Sequence, residues 1–585
     1  MRIASVVCLV FLLVTAWGIG VGSYSSAIEL AENRSGGTLR RPVAIVANGD
    51  RVLVANRRSG TISVIQPFAG KVVAEHSVAA RIADMIAIPH TDAVFVLDDG
   101  QDRLLTVSLD DADVSIDFVT NVPKSAVKLV VSESRRRVFV NSKWSRELAA
   151  IDFDIGFERA VHNRTLTLPF ASHEMLLLDG ERILLVADAF GGRIGVIDAA
   201  NLKLLGIRTL DGHNVRGLAV SADGKDLYVA HQQFNSTGRA DYEDLHWGRL
   251  VTNAVQVFKT QGFIENNFAD RDGGAITRGW LDRFGGIGGA SGDPAAVVTD
   301  GHGLMAVCLS GSGEVAIRSG GLVRRIAVGQ RPTAMAIDNG RLFVANRFDD
   351  SVTVISPDTG KVVQTISLGK RPQLSAIERG ELLFFDARLS HDNWMSCHSC
   401  HTDGHSTGLL VDTLGDGDYG APKRIPSLLG TRNTGPWAWN GSMNSLSDQI
   451  QKSVTTTMHG DRLTERQAKD LVSYLESLPA PPPTTRQTIE QVRCGRDVFK
   501  SRGCVRCHTL PTLTATETFD VGLSDERGRR TFNPPSLHGV SQRARLFHDG
   551  RAAGLKDVIH RFRHQLEKPL SAEESAALLA FLRSL

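Results

Sequence analysis

The chain has 585 residues, a formal charge of +2 and a pI near 8.2, a balance that gives no electrostatic case for nucleic acid as a partner. At 42% hydrophobic and 22% charged residues it reads as a folded, soluble protein, long enough for two or three domains with full cores. Its 56 glycines against 5 tyrosines lean towards a turn-rich β architecture.

The N-terminus carries Arg2, an apolar stretch from Val6 to Val21, and small residues ending Ser25-Ser26-Ala27. This reads as a secretory signal over residues 1–27, cut after Ala27. An uncleaved anchor is the competing reading, because the stretch approaches spanning length. Gly18, Gly20 and Gly22 interrupt or end the run and favour cleavage. The expected location is therefore the periplasm or another extracytoplasmic space, with no stable membrane span once the signal is removed.

From 36 to 380 one phrase recurs. It appears as Val52-Leu53-Val54-Ala55-Asn56, Val94-Phe95-Val96-Leu97-Asp98 and Val138-Phe139-Val140-Asn141. It returns as Leu184-Leu185-Val186-Ala187-Asp188, Leu227-Tyr228-Val229-Ala230-His231, Met305-Ala306-Val307-Cys308 and Leu342-Phe343-Val344-Ala345-Asn346. A spacing of about forty residues, with a polar turn and further short strands after each phrase, predicts a seven-bladed β-propeller. Phe343-Val344-Ala345-Asn346 with Ser351-Val352-Thr353-Val354-Ile355 resembles the YVTN-type repeat, which implies a fold and little about function. One double-length interval predicts an insertion at about 232–292, where His246 beside Trp247 reads as an exposed loop histidine or as one facing a cofactor.

Beyond 380 the period becomes helical. Cys397-His398-Ser399-Cys400-His401 and Cys504-Val505-Arg506-Cys507-His508 repeat the C-x-x-C-H spacing. Two thiols at that spacing form thioethers with haem vinyl groups, and the adjacent His lies under the iron. Zinc and disulfide readings compete, but no second Cys pair lies near either motif. The expected cofactors are two covalent c-type haems, with His401 and His508 as proximal ligands. Thr464 to Leu478 predicts an amphipathic helix, Pro479 to Pro483 stops it, and Leu578, Leu579, Phe581 and Leu582 predict the stripe of a second. The expected order is therefore a propeller, an all-α cytochrome c-like domain at 381–480, a Pro-rich linker at 481–488 and a second such domain at 489–585. Cys308 and Cys494 remain as a buried residue and a free thiol, or as a pair if the fold joins them.

Residues 382–585 resemble the bacterial di-haem cytochrome c peroxidases, which include the methylamine-utilisation enzymes that oxidise a partner protein. The resemblance rests on Leu383-Phe384-Phe385-Asp386-Ala387-Arg388-Leu389-Ser390, Pro426-Ser427-Leu428-Leu429 and Trp439-Asn440-Gly441 around the first motif. Around the second it rests on Gly495-Arg496-Asp497-Val498-Phe499, Pro535-Ser536-Leu537-His538-Gly539-Val540 and Phe547-His548-Asp549-Gly550. It implies a peroxide-side haem on His401 and an electron-transfer haem on His508. It also implies Trp439 as the inter-haem path and His548 near a haem propionate. The chain departs from the family in four places. The distal His that some members carry has no counterpart near Asp416. Thr457 replaces the acid–base Glu that precedes Met458, and Phe562, flanked by His560 and His564, occupies an axial position it cannot fill. Arg424 replaces the Asn of the calcium site, so calcium is not carried over.

Met458 lies 57 residues after His401, where small cytochromes c place an axial Met. Counting back from Leu570 gives Gln565, beside His564, as its counterpart. This predicts Met458 as a possible axial ligand at the first haem and His564 at the second, with simple packing of Met458 against the haem edge as the competing reading. The function expected is an exported, peroxidase-like di-haem oxidoreductase fed by a small cytochrome or cupredoxin. The alternative is an electron-transfer protein without peroxidase activity, whose propeller is a platform for a protein or small-molecule ligand.

Overall fold

The structure, a computed structural model, describes residues 37–109, 113–154, 156–157, 159–266, 280–319, 322–484 and 486–585; the expected leader at 1–27 lies outside them. Four-stranded antiparallel sheets span 42–77, 82–121, 126–167, 172–209, 213–283, 294–327 and 332–367, each in simple sequence order. The first strands of successive sheets are neighbours. The last of them, Pro332–Asp338, packs beside Pro42–Asn48, so the array closes as a seven-bladed propeller. Among the described residues no blade borrows a strand from the other end of the chain. The ring is sealed by side chains instead, with Asp350 accepting the backbone N–H groups of Arg40 at 3.0 Å and Arg41 at 2.7 Å.

The recurring phrase is the second strand of each blade. Val94–Asp98 and Met305–Leu309 are buried at every residue, because neighbouring blades cover both faces. The phrase often ends on a buried Asn whose amide meets the next strand. Asn346 Nδ2 donates to Ser351 at 3.0 Å and Thr353 at 2.8 Å, and Asn56 repeats this with Thr61 and Ser63. Each inner strand shifts register near its start, as between Ser172 and Met175 or His213 and Gly217. Such bulges re-aim side chains, here at one end of the propeller channel.

The stretch read as an insertion, 232–292, belongs to the fifth blade. Asp226–Phe234, Val251–Lys259 and Trp280–Arg283 are its second, third and fourth strands. The interval doubled because the connections at 235–250 and 260–279 are both long.

The C-terminal region is helical and built twice on one plan. Ala376–Phe384 crosses Glu465–Ser477 at Gly380, where a Cβ would lie 2.0 Å from the Asp470 carbonyl oxygen. Ile489–Ser501 crosses Ala572–Arg583 at Gly495, 2.0 Å from that of Ala577. All four helices begin with capping boxes, on Ser375, Thr464, Thr488 and Ser571. Each cap contributes about 1 kcal/mol. Leu578, Leu579, Phe581 and Leu582 are all buried. Cys308 is a buried thiol and Cys494 a half-buried one; they do not pair. Among the described residues no helix is long and apolar enough to cross a membrane.

The first helical unit shares a core with the propeller. Phe234, Leu245, Leu250, Val251 and Phe348 pack into one cluster with Phe384, Trp394, Met395 and Leu446. Gly248, at φ +62°, admits the Trp394 ring, which would lie 2.4 Å from a Cβ there.

Candidate functional site

Ser396 caps the one-turn helix Cys397–Cys400, accepting the His398 N–H at 3.1 Å while Ser399 Oγ accepts the Ser396 N–H at 3.0 Å. Residues three apart on a turn share a side. Cys397 and Cys400 thus face a cavity of about 330 Å³, and His398 faces the propeller channel. Burial pushes both thiols up to about 12. His401 lines the same cavity. Its Nδ1–H donates to the Pro426 carbonyl at 2.9 Å, and burial lowers its pKa to about 4, so the ring is neutral with Nε2 bare. His508 repeats this through the Leu513 carbonyl at 3.0 Å, also at about 4 through burial. A backbone acceptor on the far nitrogen is how a metal-binding imidazole is oriented.

The rest of the cavity fits a haem. Phe384, Ile425, Ile450, Leu471 and Leu475 supply apolar walls, with Thr457 and Met458 on a separate element. Arg424, 2% exposed, and Arg543 also line it, and neither pairs with a carboxylate among the described residues. Burial pushes Arg424 down to about 9, helped by Arg543, and Arg543 down to about 10; the Arg543 Nε has no partner. Cations in that state suit a group that brings its own carboxylates. Asp416 is the one carboxylate lining the cavity among the described residues, and it is tied to Lys423 at 3.2 Å and Arg529 at 3.0 Å.

Trp439 lines the cavity at the seam between the two helical units. Its indole N–H donates to the Arg424 carbonyl at 2.8 Å, and its own carbonyl accepts the Asn533 N–H of the second unit at 2.8 Å. His548 lies just beyond, stacked on Phe532 at 4.0 Å and edge-on to Trp439 at 6.5 Å. It is buried, its Nε2 has no hydrogen-bond partner and lies 3.9 Å from Asp549, and burial lowers its pKa.

The two units carry matching π-helical turns, Ser453–Thr457 and Asp557–Arg561. These put Met458 in register with Phe562, not Gln565. Both follow the turn in helical backbone, and the next residues, His459 and Arg563, have φ of +49° and +44°. Counting back from the last helix misled because that connection is longer in the second unit. Gln565 is exposed. His560 is exposed too and meets Ser575 at 2.9 Å, whereas the half-buried His564 has an unpartnered Nδ1 and lies within electrostatic reach of His508.

Sequence reasoning missed the grip of the propeller on the first motif. Asp293 accepts Ser396 Oγ at 2.5 Å and Ser399 Oγ at 2.6 Å, and His213 Nε2 donates to the Ser399 carbonyl at 2.8 Å. Asp403, two residues after His401, pairs with Lys143 at 2.7 Å and Arg216 at 2.9 Å, and its backbone N–H donates to His398 Nδ1 at 3.0 Å. The propeller partners lie more than 100 residues away in the chain, and no local pattern announces them. His246 is not a free loop residue: its Nδ1 lies 2.9 Å from His391 Nε2.

Residues 375–490 match the family described as di-haem cytochrome c peroxidase. A cytochrome c551 peroxidase of Nitrosomonas europaea is 24% identical over 260 residues, covering 35% of this chain and 78% of that protein. The methylamine utilization protein MauG of Methylophilus methylotrophus is 26% identical over 272 residues, covering 35% and 80%. Among solved structures, a Kuenenia stuttgartiensis hydrazine synthase chain aligns with a TM-score of 0.45 at 17% identity, covering 56% of this chain and 98% of that one.

Proposed function

We propose that this chain, whose C-terminal region is related to the di-haem cytochrome c peroxidases, is an exported, peroxidase-like oxidoreductase with two covalent haems. The observation that carries the reading is the first cavity, where Cys397, Cys400 and the bare Nε2 of His401 meet apolar walls and two buried guanidiniums. Haem iron held there supplies one-electron chemistry and a coordination position for peroxide. Cys397 and Cys400 carry the first thioethers, and Cys504 and Cys507 the second. His401 and His508 would be the iron ligands beside those thioethers, each fixed in one tautomer by its backbone acceptor. Arg424 and Arg543 hold carboxylates at the cavity edge. Trp439 bridges the seam as the electron path, with His548 held against it.

Met458, at the backbone place that Phe562 takes in the second unit, would pack against the first haem. His564, whose Nδ1 has no hydrogen-bond partner, would supply a second imidazole at the second site. The calcium site is not carried over: Arg424 is itself a buried cation, and the neighbouring Lys423 Nζ joins Asp416 and Asp525 at 3.2 Å each. The donor is a small cytochrome or cupredoxin. The propeller braces the first haem loop, and its remaining surface is the place for a protein or small-molecule ligand.

Optical spectra of ferric and half-reduced protein test the reading, together with turnover of hydrogen peroxide. A high-spin band that responds to cyanide, unchanged in character in Met458→Ala, is expected. One observation favours the alternative of pure electron transfer: Thr457 supplies no carboxylate, and Asp416 is tied up by two cations. A far-red thioether band in wild type that disappears in Met458→Ala, with no peroxide turnover, establishes that alternative.

A further inference from the structure

Behind the Met458 wall, the fifth-blade connection meets the first helical unit through a group of side chains that the haem reading does not use. His246 ends the short helix Tyr242–His246, and His391 and Asp392 lie in the turn that leads into the first haem motif. His246 Nδ1 lies 2.9 Å from His391 Nε2, and Asp392 Oδ2 lies 3.8 Å and 3.4 Å from those two nitrogens. The side chains are 26%, 21% and 19% exposed, sheltered yet open to solvent.

We propose that His246, His391 and Asp392 bind a divalent transition-metal ion that clamps the fifth-blade connection onto the first helical unit. Two imidazole nitrogens and one carboxylate are the donor set such ions take, with further positions left for water. The spacing suits it. Bonds of about 2.0–2.1 Å from a shared ion put neighbouring donors about 2.9 Å apart at a right angle and about 3.3 Å apart at a tetrahedral one. The three observed separations fall in or slightly beyond that range, so small rotations of Asp392 and His246 complete the site.

Two further features hold the donors ready. Asp392 sits at φ +49°, a left-handed backbone that costs a non-glycine residue energy, and its Oδ2 accepts the Gly288 N–H at 2.8 Å. Tyr242 stacks on the His246 ring at 5.4 Å and leans on His391 at 4.9 Å, fixing both ring planes. The site also touches the first cavity, because the His391 N–H donates to the Met458 carbonyl at 2.9 Å.

The test uses the full-length, tag-free holoprotein, stripped with chelator and titrated calorimetrically with zinc chloride. Wild type is expected to take up one tight equivalent with a rise in Tm. Asp392→Asn is the cleanest variant, because Asn tolerates the left-handed backbone and keeps the Gly288 contact. It should weaken that equivalent by about tenfold or more while leaving the haem absorption spectrum unchanged. His246→Gln should abolish it. Wild type that binds no stoichiometric zinc, or variants that bind it as well as wild type does, overturns the proposal. The outcome is independent of peroxide turnover, so failure of this site and failure of the peroxidase reading are separable.

Discussion

Replacing Asp403 by Asn probes how firmly the propeller grips the first haem loop. The residue occupies φ +50°, where Asn is well tolerated, so the substitution removes charge with little backbone cost. It leaves Lys143 and Arg216, 16% and 8% exposed, facing each other without their shared anion. Removing one partner of a buried ion pair costs about 3–5 kcal/mol, and the lower end applies because Asp403 is itself 27% exposed. About 3 kcal/mol lost from local docking is about a 100-fold rise in the opening equilibrium. Hydrogen exchange reads this directly at three amides: His401, bonded to the Cys397 carbonyl at 2.9 Å, Gly404, bonded to that of His401 at 2.8 Å, and His405, bonded to that of Thr402 at 2.9 Å. All three should exchange about 100-fold faster in the variant. The pH dependence follows from the same charges. Burial alone raises the Asp403 pKa, but Arg216, Lys143 and the neighbouring histidines hold it well below the ordinary carboxylate value. Its contribution is therefore complete above the unfolded value of about 4 and disappears as pH falls through the folded one. Wild-type protection should drop on strong acidification, and the variant should lack that component. Exchange within threefold of wild type at neutral pH would refute the argument.

Other outcomes follow from the helical units. His564→Ala should turn the second haem from low to high spin in the ferric spectrum; an unchanged spectrum removes His564 as ligand. Gly380→Ala should lower the Tm of the first unit, read by Soret circular dichroism, because the new methyl meets the Asp470 carbonyl at 2.0 Å and such overpacking costs about 1–3 kcal/mol or more. A Tm equal to wild type would show that this crossing has slack.

The second strands of the blades were legible because both of their faces are buried, which leaves runs such as Val94-Phe95-Val96-Leu97 without alternation. The inner strands were not. Ser172-His173-Glu174-Met175 lines a polar channel and bulges, so neither hydrophobicity nor period marks it as a strand. The haem motifs and the two terminal helices were legible because each is a local spacing or stripe. Asp293, His213 and Asp403 were not, because their meaning arises only when the propeller mouth closes on Ser396 and Ser399. The axial register slipped for a simpler reason: a count along the chain cannot see that one connection is longer than its twin, and the paired π-helical turns can.

The same closure makes the two haem motifs unequal in access. Between the first pair of cysteines, His398 and Ser399 are 5% and 0% exposed beneath the propeller, while between the second pair Arg506 stands in solvent. A donor protein of the kind proposed would find the second motif open and, at the first, a β-propeller already in the berth. On the proposed reading the two centres would act in series: charge would enter at the His508 side, cross the seam at Trp439, and reach a first site whose motif the propeller covers.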